Sequence, residues 1–228
     1  WHDVKVIYTS QGDYAYICTE GSVISSSYAY STKVVHIYDL SNLYIDSTYE
    51  CVNTIPGISF HNLQVFQSSS KNVAYLYGVG GKRSALEIYD LSADPSRPYY
   101  LGGYKSYPED YSHVHTQGLS ETNYQELYIH DLCITDQLEA FPNKIIAFCA
   151  CIYWTCISVL DITDPVNVKS IVTIIDPRYQ NSTFNGFGLH HCWLTPNNEF
   201  LIAGTEASTK KLWIIDIKSI FEQDQYYY

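Results

Sequence analysis

The sequence predicts an all-β fold: a β-propeller of at least four four-stranded blades. Three observations carry that prediction. A strand motif ending in Asp occurs four times, a second motif opening on His precedes each copy, and the composition favours β structure. Tyr accounts for 23 of 228 residues and aromatic residues for 15% of the chain. Tyr, Val, Ile and Thr suit a pleated, half-buried surface. Hydrophobic residues reach 46% against 16% charged, which excludes a disordered chain.

The Asp motif is apolar-x-apolar-apolar/aromatic-Asp-apolar. It reads Val35-His36-Ile37-Tyr38-Asp39-Leu40, Leu86-Glu87-Ile88-Tyr89-Asp90-Leu91, Ile157-Ser158-Val159-Leu160-Asp161-Ile162 and Leu212-Trp213-Ile214-Ile215-Asp216-Ile217. Each copy is a strand that stops at Asp, whose side chain bonds to backbone just ahead and turns the chain. Two copies run on into Asp-Pro turns, Ser92-Ala93-Asp94-Pro95 and Thr163-Asp164-Pro165. A further apolar strand follows each turn.

The His motif reads His2-Asp3-Val4-Lys5-Val6, His61-Asn62-Leu63-Gln64-Val65, His130-Asp131-Leu132-Cys133-Ile134 and His190-His191-Cys192-Trp193-Leu194. Between each His motif and its Asp motif lies one more strand, at 14–19, 73–79, 144–151 and 199–204. Two motifs keeping one order four times define a repeat of strand, strand, strand, turn, strand. Four-stranded units in series are propeller blades. A linear solenoid uses shorter repeats, and a sandwich does not return the same motif at the same strand. The chain therefore reads as one domain over 1–228, with repeats at about 1–57, 58–104, 130–176 and 189–228. An insertion fills 105–129, and a Ser-rich hairpin insertion fills 22–32.

These motifs, with Leu212-Trp213-Ile214-Ile215-Asp216, the Asp-Ile-Thr-Asp-Pro turn at 161–165 and Trp193-Leu194-Thr195-Pro196-Asn197-Asn198-Glu199-Phe200, resemble the LVIVD-repeat propellers. Among these the chain is most similar to the "choice-of-anchor B" proteins, over nearly its whole length. The resemblance implies a secreted or surface-attached propeller with no catalytic residues to carry over. It also implies further blade sequence before Trp1, and hence a partial propeller. Cysteines at positions matching Cys133 and Cys149 belong to the same pattern.

Charge and cysteine usage bound the partners. With 13 Lys+Arg against 24 Asp+Glu the net charge is −11, which argues against nucleic acid and anionic membranes as partners. No apolar run approaches the roughly 20 residues that cross a bilayer, and no signal peptide is visible. The chain opens on Trp1 and contains no Met, so it reads as processed, as a fragment, or as a sequence not read directly from a gene. Seven Cys without zinc-type spacing point to an oxidising, extracellular or cell-surface setting. Asn181-Ser182-Thr183 is a glycosylation sequon consistent with that location.

Candidate sites follow. His2, His61, His130 and His190 fall on first strands, which line a propeller's central channel. They either hydrogen-bond between blades or gather as ligands for a divalent metal, the basis of an alternative reading as a metal-dependent enzyme. No cofactor is expected otherwise. The insertion holds Tyr107, Tyr111, His113 and His115, a Tyr-rich contact loop with a His-x-His pair. Cys133 and Cys149, on neighbouring strands, are expected to form a disulfide, worth about 3 kcal/mol for a loop near 15 residues. Cys151 and Cys156 either pair across their hairpin or remain core thiols. There is no Gly-x-Ser-x-Gly elbow, and the Gly78-Val79-Gly80-Gly81 run reads as a hairpin turn rather than a phosphate loop. The expected function is a non-catalytic scaffold that binds proteins, with copies of itself in an oligomer or filament as the expected partners.

Overall fold

A computed structural model describes residues 2–19, 34–68, 70–81, 84–105, 128–152, 156–175, 188–206 and 212–222. The described chain is all-β apart from two short helices, and it forms four antiparallel sheets taken strictly in chain order. The first holds β1 (Asp3–Thr9), β2 (Gly12–Cys18), β3 (Val34–Asp39) and β4 (Glu50–Pro56), with α1 (Leu43–Asp46) in its last turn. The second holds β5 (Asn62–Ser68), β6 (Val73–Val79), β7 (Leu86–Asp90) and β8 (Tyr99–Tyr104). The third holds β9 (Ile129–Thr135), β10 (Ile146–Cys151), β11 (Cys156–Asp161) and β12 (Lys169–Ile175). The fourth holds β13 (Leu189–Leu194), β14 (Phe200–Thr205) and β15 (Leu212–Asp216). Each is a meander joined only to sequence neighbours, the arrangement of a propeller blade.

One expectation changes. The fourth sheet has three described strands, not four, because the chain turns into α2 (Ile217–Glu222) after Asp216. Ile217 is buried, and Phe221 packs edge-on against Phe141 at 4.7 Å between ring centroids.

The chain divides into two compact units, Trp1–Gly103 and Tyr104–Tyr228, each built from two consecutive sheets. In unit 1 the core lies between the first two sheets and includes Ile7, Tyr16, Val35, Ile37, Phe60, Leu63 and Leu76. In unit 2 it lies between the third and fourth and includes Ile146, Phe148, Val159, Cys192, Ala203 and Trp213.

The repeated Asp works as its position predicts. Asp39, Asp90, Asp161 and Asp216 each accept a hydrogen bond from the backbone N–H two residues on, at 2.8, 2.7, 3.1 and 3.0 Å. Each turns the chain out of a third strand. The register of β3 against β4 slips at Ile37/Tyr38, and that of β11 against β12 slips at Val159/Leu160, the same place in the motif. A bulge repeated at one motif position is part of the repeat, not a local accident. In unit 1, Tyr16 Oη donates to Pro95 O at 2.7 Å and Asn53 Nδ2 to Ser96 O at 2.9 Å. The first sheet thereby grips the Asp-Pro turn of the second.

Candidate functional site

The first strand of each sheet is an edge, so alternate backbone groups along it have no ladder partner. In unit 1 the His2-Asp3 pair supplies partners to the edge of the next sheet. Asp3 Oδ2 accepts from Leu63 N–H at 2.9 Å, and His2 Nδ1 meets His61 O. Lys5 Nζ holds the Asp3 carboxylate at 2.7 Å. His2 and His61 then lie ring against ring, 4.0 Å between centroids and tilted by 50°. Unit 2 repeats the contact: His130 and His190 stand 3.9 Å apart at 40°.

The four His, expected either to bond between blades or to gather as metal ligands, form one pair within each unit. In both pairs the rings are tilted against each other. Among the described residues, no three of His, Cys, Asp or Glu gather closely enough to hold a metal ion. His190 has two further polar neighbours, His191 Nδ1 at 3.4 Å and Glu206 Oε1 at 3.9 Å from its Nε2. The described geometry is that of a structural contact between consecutive sheets.

The cysteines correct the sequence reading. Cys133 stands opposite Phe148 in the β9–β10 register, and Cys149 stands opposite Leu132. A one-residue offset places the two thiols on opposite faces of the sheet, so the expected Cys133–Cys149 bridge does not form. In this structure none of the seven cysteines is bonded to another. Cys133 instead faces Cys192 of the next sheet, Sγ to Sγ 3.8 Å, and the Cys192 thiol donates to Phe148 O at 3.2 Å. Cys151 and Cys156 are directly cross-strand, as the hairpin reading required for a pair. Burial pushes the Cys149 and Cys151 thiols well above the usual range. The neighbouring Cys133 thiol, then burial, does the same to Cys192. Protonated thiols of this kind are poor nucleophiles.

What the sequence reading missed is a pair of open apolar sheet faces. On the fourth sheet the inner face carries Cys192, Ala203 and Trp213, all buried. The outer face carries Trp193, Ile202 and Ile214 in one cross-strand row, with His191, Gly204 and Leu212 in the next. Trp193, Leu212 and Ile214 are 64%, 63% and 67% exposed. The His191 ring lies over Gly204, where an added Cβ would stand 3.2 Å from the imidazole. On the first sheet, Ile7 points to the core, while Val4, Val6 and Tyr8 point outward, with Val4 and Tyr8 53% and 63% exposed. The signal was present in Leu212-Trp213-Ile214-Ile215, a strand apolar on both faces, which is the pattern of a sheet covered on both sides. The interaction-loop residues Tyr107, Tyr111, His113 and His115, the sequon at Asn181 and the 22–32 insertion lie outside the described residues.

The fold and these surfaces define an all-β protein assembled from propeller-type sheets. No family model and no curated protein matches the sequence. Among solved structures, the chain is similar to a "putative 6-phosphogluconolactonase" from Bacteroides fragilis, at 12% identity and TM-score 0.49, over 89% of this chain and 48% of that one. A second protein so described, from Bacteroides uniformis, shows 13% identity and TM-score 0.47, over 94% and 55%. A functionally unknown protein from Desulfotomaculum acetoxidans shows 10% identity and TM-score 0.41, over 93% and 68%. The chain spans about half the length of the first two. At these identities no activity passes to it.

Proposed function

We propose that this chain is a non-catalytic interaction scaffold, working outside the cell or at its surface, that assembles with copies of itself through its open sheet faces. The observation that carries the proposal is the outer face of the fourth sheet. Leu212 and Ile214 alternate with the inward Trp213 and Ile215, yet they stand in solvent beside Trp193. Contiguous exposed apolar side chains of this kind mark contact surfaces, and Trp is a common anchor in them.

A second copy fits because of the repeat. Within each unit consecutive sheets pack through their first strands, β1 on β5 and β9 on β13. A neighbour that presents Val4, Val6 and Tyr8 to the outer face of β13–β15 would repeat that packing with apolar groups on both sides. The contact joins two different faces, so it propagates head to tail unless the rotation closes. Repulsion between chains of net charge −11 opposes the contact, and salt relieves it. Seven cysteines in 228 residues and the resemblance to surface-attached choice-of-anchor B proteins support the extracellular setting.

Sedimentation velocity over a micromolar concentration series tests the reading. Species heavier than the 26.1 kDa chain should grow with concentration and with added salt. Ile214→Arg, at an exposed position, should abolish them. A wild-type chain that stays at 26.1 kDa throughout overturns the proposal.

A further inference from the structure

Unit 2 holds an arrangement of thiols that strand order alone could not reveal. Cys133 on β9 and Cys192 on β13 belong to the first strands of consecutive sheets and face each other across the core between them. Their sulfurs are 3.8 Å apart, and both side chains are buried. No strand ladder joins these sheets; core side chains hold them together, helped by a backbone bond from Gly188 N–H to Ile152 O at 2.7 Å. A disulfide needs sulfurs at about 2.05 Å; rotation about χ1 swings each sulfur around its own fixed Cβ and can close the 3.8 Å gap.

We infer that Cys133 and Cys192 are a disulfide pair that staples the third sheet to the fourth. The reaction is thiol–disulfide exchange with a small disulfide such as oxidised glutathione. One protein thiolate attacks the glutathione S–S bond and releases one glutathione thiol. The second protein thiolate then attacks the mixed disulfide, forms the Cys133–Cys192 bond and releases the other. Each protein thiol loses its proton, and the two electrons leave with the reduced glutathione. Exchange requires thiolate, and the folded environment holds Cys192 protonated. The bond therefore forms while the chain folds, before the core closes. In a reducing compartment the same two residues remain a buried thiol pair.

The experiment is refolding of the full chain from the reduced, denatured state in a glutathione redox buffer, followed by alkylation and tryptic mapping without reduction. Cleavage at Lys105, Lys144, Lys169, Arg178 and Lys210 puts Cys133 alone in 106–144 and Cys192 alone in 179–210, whereas Cys149, Cys151 and Cys156 share 145–169. The expected result is a linked 106–144/179–210 species carrying most of the Cys133 signal, lost on reduction. Alkylation of both residues, or linkage of 106–144 to 145–169, overturns the inference. Neither result bears on whether copies of the chain assemble.

Discussion

Replacing Asp3 tests how the His-Asp motif ties one sheet to the next. Asp3 Oδ2 accepts from Leu63 N–H at 2.9 Å, at the edge of a strand where no ladder partner exists. Leu63 is fully buried, so water does not replace the lost acceptor. Asp3→Ala therefore strands a buried donor, at a cost of about 1–3 kcal/mol. It also removes the ion pair with Lys5, whose side chains are 30% and 17% exposed for Lys5 and Asp3; a pair this near the surface adds at most about 1 kcal/mol. The sum is about 1–4 kcal/mol. Asp3→Asn keeps an oxygen acceptor and loses only the charge, so it should cost about 1 kcal/mol. Lys5→Ala should cost no more than that. Urea unfolding followed by circular dichroism gives the stabilities, and amide exchange at Leu63 reports the bond itself. Exchange should accelerate in Asp3→Ala well beyond its change in Asp3→Asn. An Asp3→Ala protein within about 0.5 kcal/mol of wild type, or an Asn variant as unstable as the Ala one, would mean that the Asp3–Leu63 bond does not tie the sheets together.

Other perturbations have equally definite outcomes. Burial tends to raise the Asp161 pKa, but bonds from Lys144 at 2.7 Å and from Thr163 outweigh it and hold the carboxyl below its ordinary 3.8. The stabilisation is thus complete above about pH 3.8 and fades as pH falls through the lowered value. An acid titration of stability should show wild type and Asp161→Asn differing at neutral pH and converging in strong acid; parallel curves would contradict this. Gly78 lies under the fully buried Phe60 ring, inside contact distance for any added Cβ. Gly78→Ala should cost about 1–3 kcal/mol by overpacking. Gly204→Ala meets only the exposed His191 ring, which can swing away, and thermal unfolding should show a much smaller loss.

The strand order and the turns were legible because they depend on short-range chemistry. Each Asp motif needed only its own side chain and the next two residues to stop a strand, and all four third strands end at Asp39, Asp90, Asp161 and Asp216. The His motif was legible as a first strand, and in unit 1 its bonding between sheets matches one of the two roles expected. The pairing of rings was not legible, because sequence order does not say which repeats touch through which atoms. Cys133 and Cys149 failed for a sharper reason. Strand adjacency was right, but facing depends on register parity, and a slip at Ala150/Cys151 further blurs any count along β10. The turn into α2 after Asp216 was hidden because Ile217 and Phe221 fit a strand or a helix equally well at this length. The open faces were written in the apolar residues on both sides of β15, a pattern that says a face should be covered but not by what.

Mixing two singly blocked variants shows whether copies of the chain join head to tail through unlike faces. Ile214→Arg blocks the outer face of the fourth sheet, and Val4→Arg blocks that of the first; both positions are exposed and outside the cores. Each variant alone keeps one good face with no complement and should sediment as the 26.1 kDa chain. An equimolar mixture restores one complete contact and should give a dimer that grows no further. Persistent monomers in the mixture, alongside a wild type that assembles, or dimers of either variant alone, would contradict the account.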